Sequence, residues 1–96
     1  MPTWDQLNWF RDDLKNLTPQ QRELLRTAVA KFVDDLRRGR FRAGLRVKRV
    51  QGSRDVWEMT WAADGRCTFQ YGDEVVDGEP HIIWRRAGTY DIFNRP

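Results

Sequence analysis

From Leu7 to Leu36 the apolar residues recur every three or four positions, and beyond Gly44 they recur every second one. The first spacing belongs to a helix with one buried face, the second to a half-buried strand. Leu7, Phe10, Leu14 and Leu17 form a first helical stripe, and Thr3 with Gln6 has capping-box spacing, which predicts a helix beginning at Thr3. The segment NLTPQQRELL restarts the chain. Thr18 suits an N-cap, Pro19 the first helical position, and Gln21 completes a second box. Leu25, Ala28, Val29, Phe32, Val33 and Leu36 continue as one stripe. Arg37 and Arg38 favour a helix C-terminus, and Gly39 supplies the stop. Residues 3–38 thus read as a helical hairpin joined at Leu17 and Thr18.

After Gly44, Leu45, Val47 and Arg49 alternate with Arg46, Lys48 and Val50, and Gly52-Ser53 makes a turn. VWEMTWA sets Trp57, Met59 and Trp61 against Glu58 and Thr60. Asp64-Gly65 is the strongest hairpin signal in the chain. RCTFQYG answers it, with Cys67, Phe69 and Tyr71 inward and Arg66, Thr68 and Gln70 outward. An acidic loop, DEVVDGEP, leads to a last strand, HIIWRR, and the tail AGTYDIFNRP follows. The pattern defines one α+β domain over residues 1–96, with the helical hairpin (3–38) packed on one face of an antiparallel sheet of about four strands (45–87), followed by a C-terminal tail (88–96). The opposite sheet face is left free to be concave and polar.

Charge changes this picture more than composition does. Ninety-six residues with 40% hydrophobic and 32% charged content describe an ordinary globule with one modest core. No apolar run approaches the roughly 20 residues of a membrane span, MPTWDQLNWF lacks the layout of a signal peptide, and a single cysteine suits a reducing compartment. A cytoplasmic location is expected. The net charge of +3 is segregated: residues 1–36 sum to −1, residues 37–54 to +8 with no acid, and residues 55–96 to −4. A basic stripe between acidic segments points to a polyanionic partner.

Most site chemistries are poorly provided for. Metal catalysis needs three or four His, Cys or carboxylate ligands, and the chain has one His and one Cys, so no metal or other cofactor is expected. Asp73, Glu74, Asp77 and Glu79 lack the spacing of a calcium loop and read as solvated turn charges. Cys67 reads as a buried thiol and His81 as a packing or capping residue. The glycines are spaced as turns, not as a phosphate cradle. Trp57, Trp61 and Trp84 are expected in the core, with Trp4 and Trp9 covering the sheet.

What remains is a set of cations with one phenol. Arg40, Arg42, Arg46, Lys48, Arg49 and Arg54 belong to the basic stripe, Arg66 opens the third strand, Arg85 and Arg86 end the fourth, and Tyr90 follows in the tail. RNA can be cut without a metal, because its 2′-hydroxyl attacks the adjacent phosphate. The protein need only move protons and stabilise charge on the phosphorane. Guanidinium groups match phosphate oxygens and keep their charge. A free phenol has a pKa near 10, which neighbouring cations lower. The same residues would equally serve a pure binding groove.

The words RAGLRVKRVQG, VWEMTWAADGRCTFQYG and HIIWRRAGTYDIF, in this order, resemble the RelE/ParE superfamily of type II toxins, more closely its RelE-like branch, over nearly the whole chain. The most specific parts are the Trp57-to-Trp61 strand, the Asp64-Gly65-Arg66 hairpin and Gly88-Thr89-Tyr90-Asp91-Ile92. The resemblance implies a helical hairpin against an antiparallel sheet. It also implies ribosome-dependent mRNA cleavage if RelE-like, inhibition of DNA gyrase if ParE-like, and an antitoxin protein as partner. By position, Arg66 matches an arginine that contacts the scissile phosphate, Arg46 and Lys48 match an RNA-binding surface, and Arg85 or Arg86 would assist Arg66. Tyr90 would be the acid/base group where relatives of this branch usually have histidine. RelE's catalytic lysines fall on the strand that here carries Glu58 and Thr60, a departure from the pattern. The implied protein is a metal-independent endoribonuclease toxin acting with the ribosome on mRNA. A gyrase inhibitor and a non-catalytic RNA-binding module are the alternatives.

Overall fold

A computed structural model describes residues 2–96. The Thr18–Gln21 box forms as its spacing requires: the Thr18 hydroxyl accepts from Gln21 N at 3.1 Å, and Gln21 Oε1 accepts from Thr18 N at 2.8 Å. These bonds satisfy two of the amides that a helix start leaves open, and α2 (Pro19–Arg38) begins there. It stops at Gly39, whose φ of 78° is the left-handed conformation glycine adopts without penalty.

The first helix does not begin at Thr3. Residues Thr3–Gln6 form β1, and α1 spans only Asn8–Asn16. The capping groups of Thr3 are engaged elsewhere. Its amide donates to Pro80 O at 3.0 Å, its hydroxyl lies 2.7 Å from His81 Nδ1, and Leu7 N donates to Trp84 O. Sheet pairing outweighs the local signal, and the hairpin runs from residue 8 rather than residue 3.

The other strands are β2 (Lys48–Arg49), β3 (Trp57–Thr60), β4 (Arg66–Gly72) and β5 (His81–Gly88), ordered β1-β5-β4-β3-β2. Only β1 is parallel to its neighbour, β5; the rest are antiparallel. The sheet therefore has the four expected strands plus an N-terminal fifth. The first expected strand is shortened, because Ala43–Leu45 forms a 3-10 turn and Arg46 adopts φ 47°, which breaks the extended run.

The helices lie on one sheet face, as the apolar stripes require. Phe32 is fully buried between Phe69 (ring centroids 4.8 Å apart) and Trp84 (5.1 Å), and Phe10 of α1 stacks on Trp84 at 5.9 Å. Trp61 and Trp84 are core residues, whereas Trp4 and Trp9 stand exposed rather than covering the sheet. Tyr71, expected inward, is exposed near the end of β4 and meets Trp57 and Phe69 edge-on. Cys67 is buried, and loss of solvation pushes its thiol well above the usual range. Glu74 caps its own turn by accepting from Gly78 N. Among the described residues no helix is long and apolar enough to cross a membrane.

Candidate nucleic-acid cleavage site

The β3–β4 hairpin fixes Arg66. Trp61 N donates to Gly65 O, and Gly65 N donates to Ala62 O, closing the turn. A Cβ at Gly65 would lie 2.5 Å from the Trp61 ring, so the indole can rest on the turn only because that position is glycine. The buried indole then donates through Nε1 to Arg66 O at 2.9 Å. Arg66, expected to point outward on an open face, is itself buried. Its Nη1 donates to Gly65 O at 2.9 Å and to Ala62 O and Ala63 O at 3.3 Å, while Nη2 donates to the Tyr90 hydroxyl at 2.7 Å. The guanidinium carbon lies 4.7 Å from the Tyr90 ring centre. Tyr90 is 60% exposed, so the pair joins a locked cation to an accessible phenol.

The tail folds back to bring Tyr90 there. A 3-10 turn, Tyr90–Asn94, follows Thr89, and Ile92 is buried beside Gly88, where a Cβ would come within 2.9 Å of its side chain. Both arginines of β5 hold this tail: Arg85 Nε donates to Pro96 O and Arg86 Nη1 to Arg95 O, each at 3.0 Å. Their other bonds differ. Arg86 forms a two-pronged pair with Asp13 of α1 (2.7 and 3.2 Å), and the same carboxylate accepts from Ala87 N. Arg85 donates to Gln70 of β4. Alternation along the sequence could not separate them, because a register shift pairs Thr68 with Arg86 but Phe69 with Trp84. The residue between them, Arg85, is the bulge.

The basic stripe divides once folded. Arg42 is committed to the fold: its Nε and Nη2 bind Asp35 at 2.8 Å each, and its amide binds the same side chain at 2.9 Å. Those hydrogen bonds hold the buried Asp35 carboxyl down to about 2. Lys48 stands 4.0 Å from Glu58, the carboxylate that strand pairing places opposite it. Arg49 turns away to lie over the Trp57 ring at 5.2 Å. The side chains of Arg40, Arg46 and Arg54 make no ion pair or hydrogen bond among the described residues. Arg46 alone of the stripe's free cations lines a cleft with Arg66. That cleft also contains Lys31 of α2, which the charge run did not reveal because it lies outside it.

This architecture, two helices on a mostly antiparallel five-stranded sheet, is the RelE-like toxin fold that the resemblance implied. Three solved structures show it at low sequence identity. A chain of the E. coli DinJ-YafQ toxin-antitoxin complex is 15% identical with a TM-score of 0.70, over 94% of this chain and 93% of that one. A chain of the RelB-RelE antitoxin-toxin complex from Methanococcus jannaschii is 16% identical with a TM-score of 0.63, over 94% of each. The YoeB/ParE toxin from Agrobacterium tumefaciens is 10% identical with a TM-score of 0.67, over 92% of this chain and 98% of that one. No protein-family model matches the sequence, and no curated protein does.

Proposed function

We propose that this chain is the toxin of a toxin–antitoxin pair and an endoribonuclease that cuts mRNA on the ribosome, in the cytoplasm, without a metal. The observation behind this reading is the Arg66–Tyr90 pair, a guanidinium locked by three carbonyls and 2.7 Å from an exposed phenol. Cleavage forms a bond between the 2′-oxygen and phosphorus and breaks the bond to the 5′-oxygen. Solvent water takes the proton from the 2′-hydroxyl, and the Tyr90 phenol gives one to the departing oxygen, leaving a 2′,3′-cyclic phosphate. Arg66 stabilises the charge that grows on the phosphorane, and its prior anchoring means that little reorganisation is needed. Because Arg66 donates into the Tyr90 oxygen, the phenol's own hydrogen points elsewhere and is free for transfer. Arg85 and Arg86 hold the tail that presents the phenol, and the free cations Arg40, Arg46 and Arg54 attract the RNA backbone.

The fold and the solved complexes that share it support an antitoxin protein as partner, and an acidic or amphipathic segment laid over the cation face would silence it. Induction of the wild type followed by mapping of mRNA ends tests the activity. New 5′ ends on translated messages, lost with Tyr90→Phe, support the reading. Intact transcripts during growth arrest, with inhibition of supercoiling by the purified protein, transfer the chain to the gyrase-inhibitor class.

A further inference from the structure

The cleft that Arg46 and Arg66 share measures about 470 Å3 and lies between α2, the 43–45 turn and the β3–β4 hairpin. That is within the range of small-molecule sites, roughly 300–1,000 Å3. Leu24, Thr27, Ala28 and Lys31 reach it from one stripe of α2, and Ala62 and Ala63 face them from the hairpin. Leu24 is 52% exposed, an apolar wall left uncovered. The side chains of Lys31 and Arg46 have no partner among the described residues. Arg46 is also held at φ 47° and ψ 48°, the only non-glycine among the described residues at positive φ. Such strain is retained where surrounding structure imposes it, and it concentrates at ligand sites.

We propose that this cleft is a subsite for the nucleotide next to the bond that is cut, with its base against Leu24 and Ala62 and its phosphate between Lys31 and Arg46. The proposal rests on the ribonuclease reading and adds to it an apolar wall and Lys31, a cation outside the basic run. A nucleotide matches both halves of the lining. A simple anion would leave the Leu24 wall unused, and an apolar ligand would leave two cations unpaired. Since Arg66 lines the cleft and also donates to the Tyr90 hydroxyl, a strand seated in the cleft brings its neighbouring phosphate to the Arg66–Tyr90 pair.

The test is fluorescence anisotropy of the purified chain with a short labelled RNA carrying 2′-O-methyl groups, which cannot be cut, over about 50 to 200 mM salt. Arg46→Gly removes the cation while relaxing the strained backbone, so the variant keeps its melting temperature. Lys31→Met keeps helix propensity, and Thr27→Trp fills the cleft. Each cation variant is expected to weaken binding by about threefold to tenfold and to lower the log–log salt slope by about 1. Thr27→Trp is expected to weaken binding by at least about tenfold with the slope unchanged, because it removes space and not charge. If wild type binds and both cation variants match it in affinity and slope, the subsite is wrong and the ribonuclease reading stands. If wild type has no measurable affinity for the RNA, the subsite falls, and the mapping of mRNA ends alone decides the ribonuclease reading.

Discussion

Arg66, Arg85 and Arg86, at the end of the sheet, each donate to backbone carbonyls and to a side chain of the same protein. Arg40, Arg46 and Arg54, in the basic run, leave their guanidinium groups in solvent. The chemical group is the same, and the difference lies in when its freedom is lost. An anchored guanidinium is ordered on folding, so it presents charge at a fixed point and suits stabilisation of a transition state. A free one acts at a distance, concentrates a polyanion nearby, and is screened by salt. Arg42 shows that membership of the run does not decide the matter: it lies among the free cations yet is anchored on Asp35.

Substitutions should break this contrast unequally. The largest effect is expected at the anchored pair. Arg66→Ala and Tyr90→Phe should each lower mRNA cleavage by about 10²- to 10⁴-fold, measured by primer extension on ribosome-bound message, while the Tyr90 change leaves thermal stability nearly unaltered. Asp13→Ala should come next, since it strips Arg86 and Ala87 N of their partner. A fall in melting temperature of roughly 5–10 °C is expected by circular dichroism, with reduced cleavage because the tail carrying Tyr90 is loosened. Gly65→Ala drives a methyl into the Trp61 ring and should destabilise by about 1–3 kcal/mol in urea titration.

Acid should distinguish Arg42 from its neighbours. The Asp35 carboxyl is held down to about 2 from an ordinary value of 3.8, so its stabilising contribution is complete above about pH 4 and fades as pH falls toward 2. An Asp35→Asn variant should be less stable at neutral pH and show a flatter loss over that window in pH-dependent unfolding. The smallest effects belong to the free cations. Arg40→Ala or Arg54→Ala should shift stability by no more than about 0.5 kcal/mol and lower the salt slope of RNA binding by about 1.

The helical stripes, the Thr18–Gln21 box, the Gly39 stop and the Asp64-Gly65 hairpin were legible because each depends on residues within a few positions of one another. The helix expected at Thr3 failed for the converse reason. Its capping spacing is genuine, but His81, Pro80 and Trp84 offer β1 sheet bonds from across the chain. Alternation predicted Arg66 as an outward residue and could not show it folded under its own turn. Nor could it count through the bulge at Arg85 or reveal that Lys31 faces the cleft of Arg46.

Periodicity and capping, being local, determined from sequence alone that two helices precede an antiparallel sheet. Charge segregation in the same way marked out the basic run, and residue types nominated Arg66 and Tyr90. Only the tertiary structure decided which cations are locked and which are free, and that the phenol of the tail meets the arginine of the hairpin. Those outcomes depend on hydrogen-bond partners far apart in the chain, whose pairing is set by sheet register and by the packing of the tail.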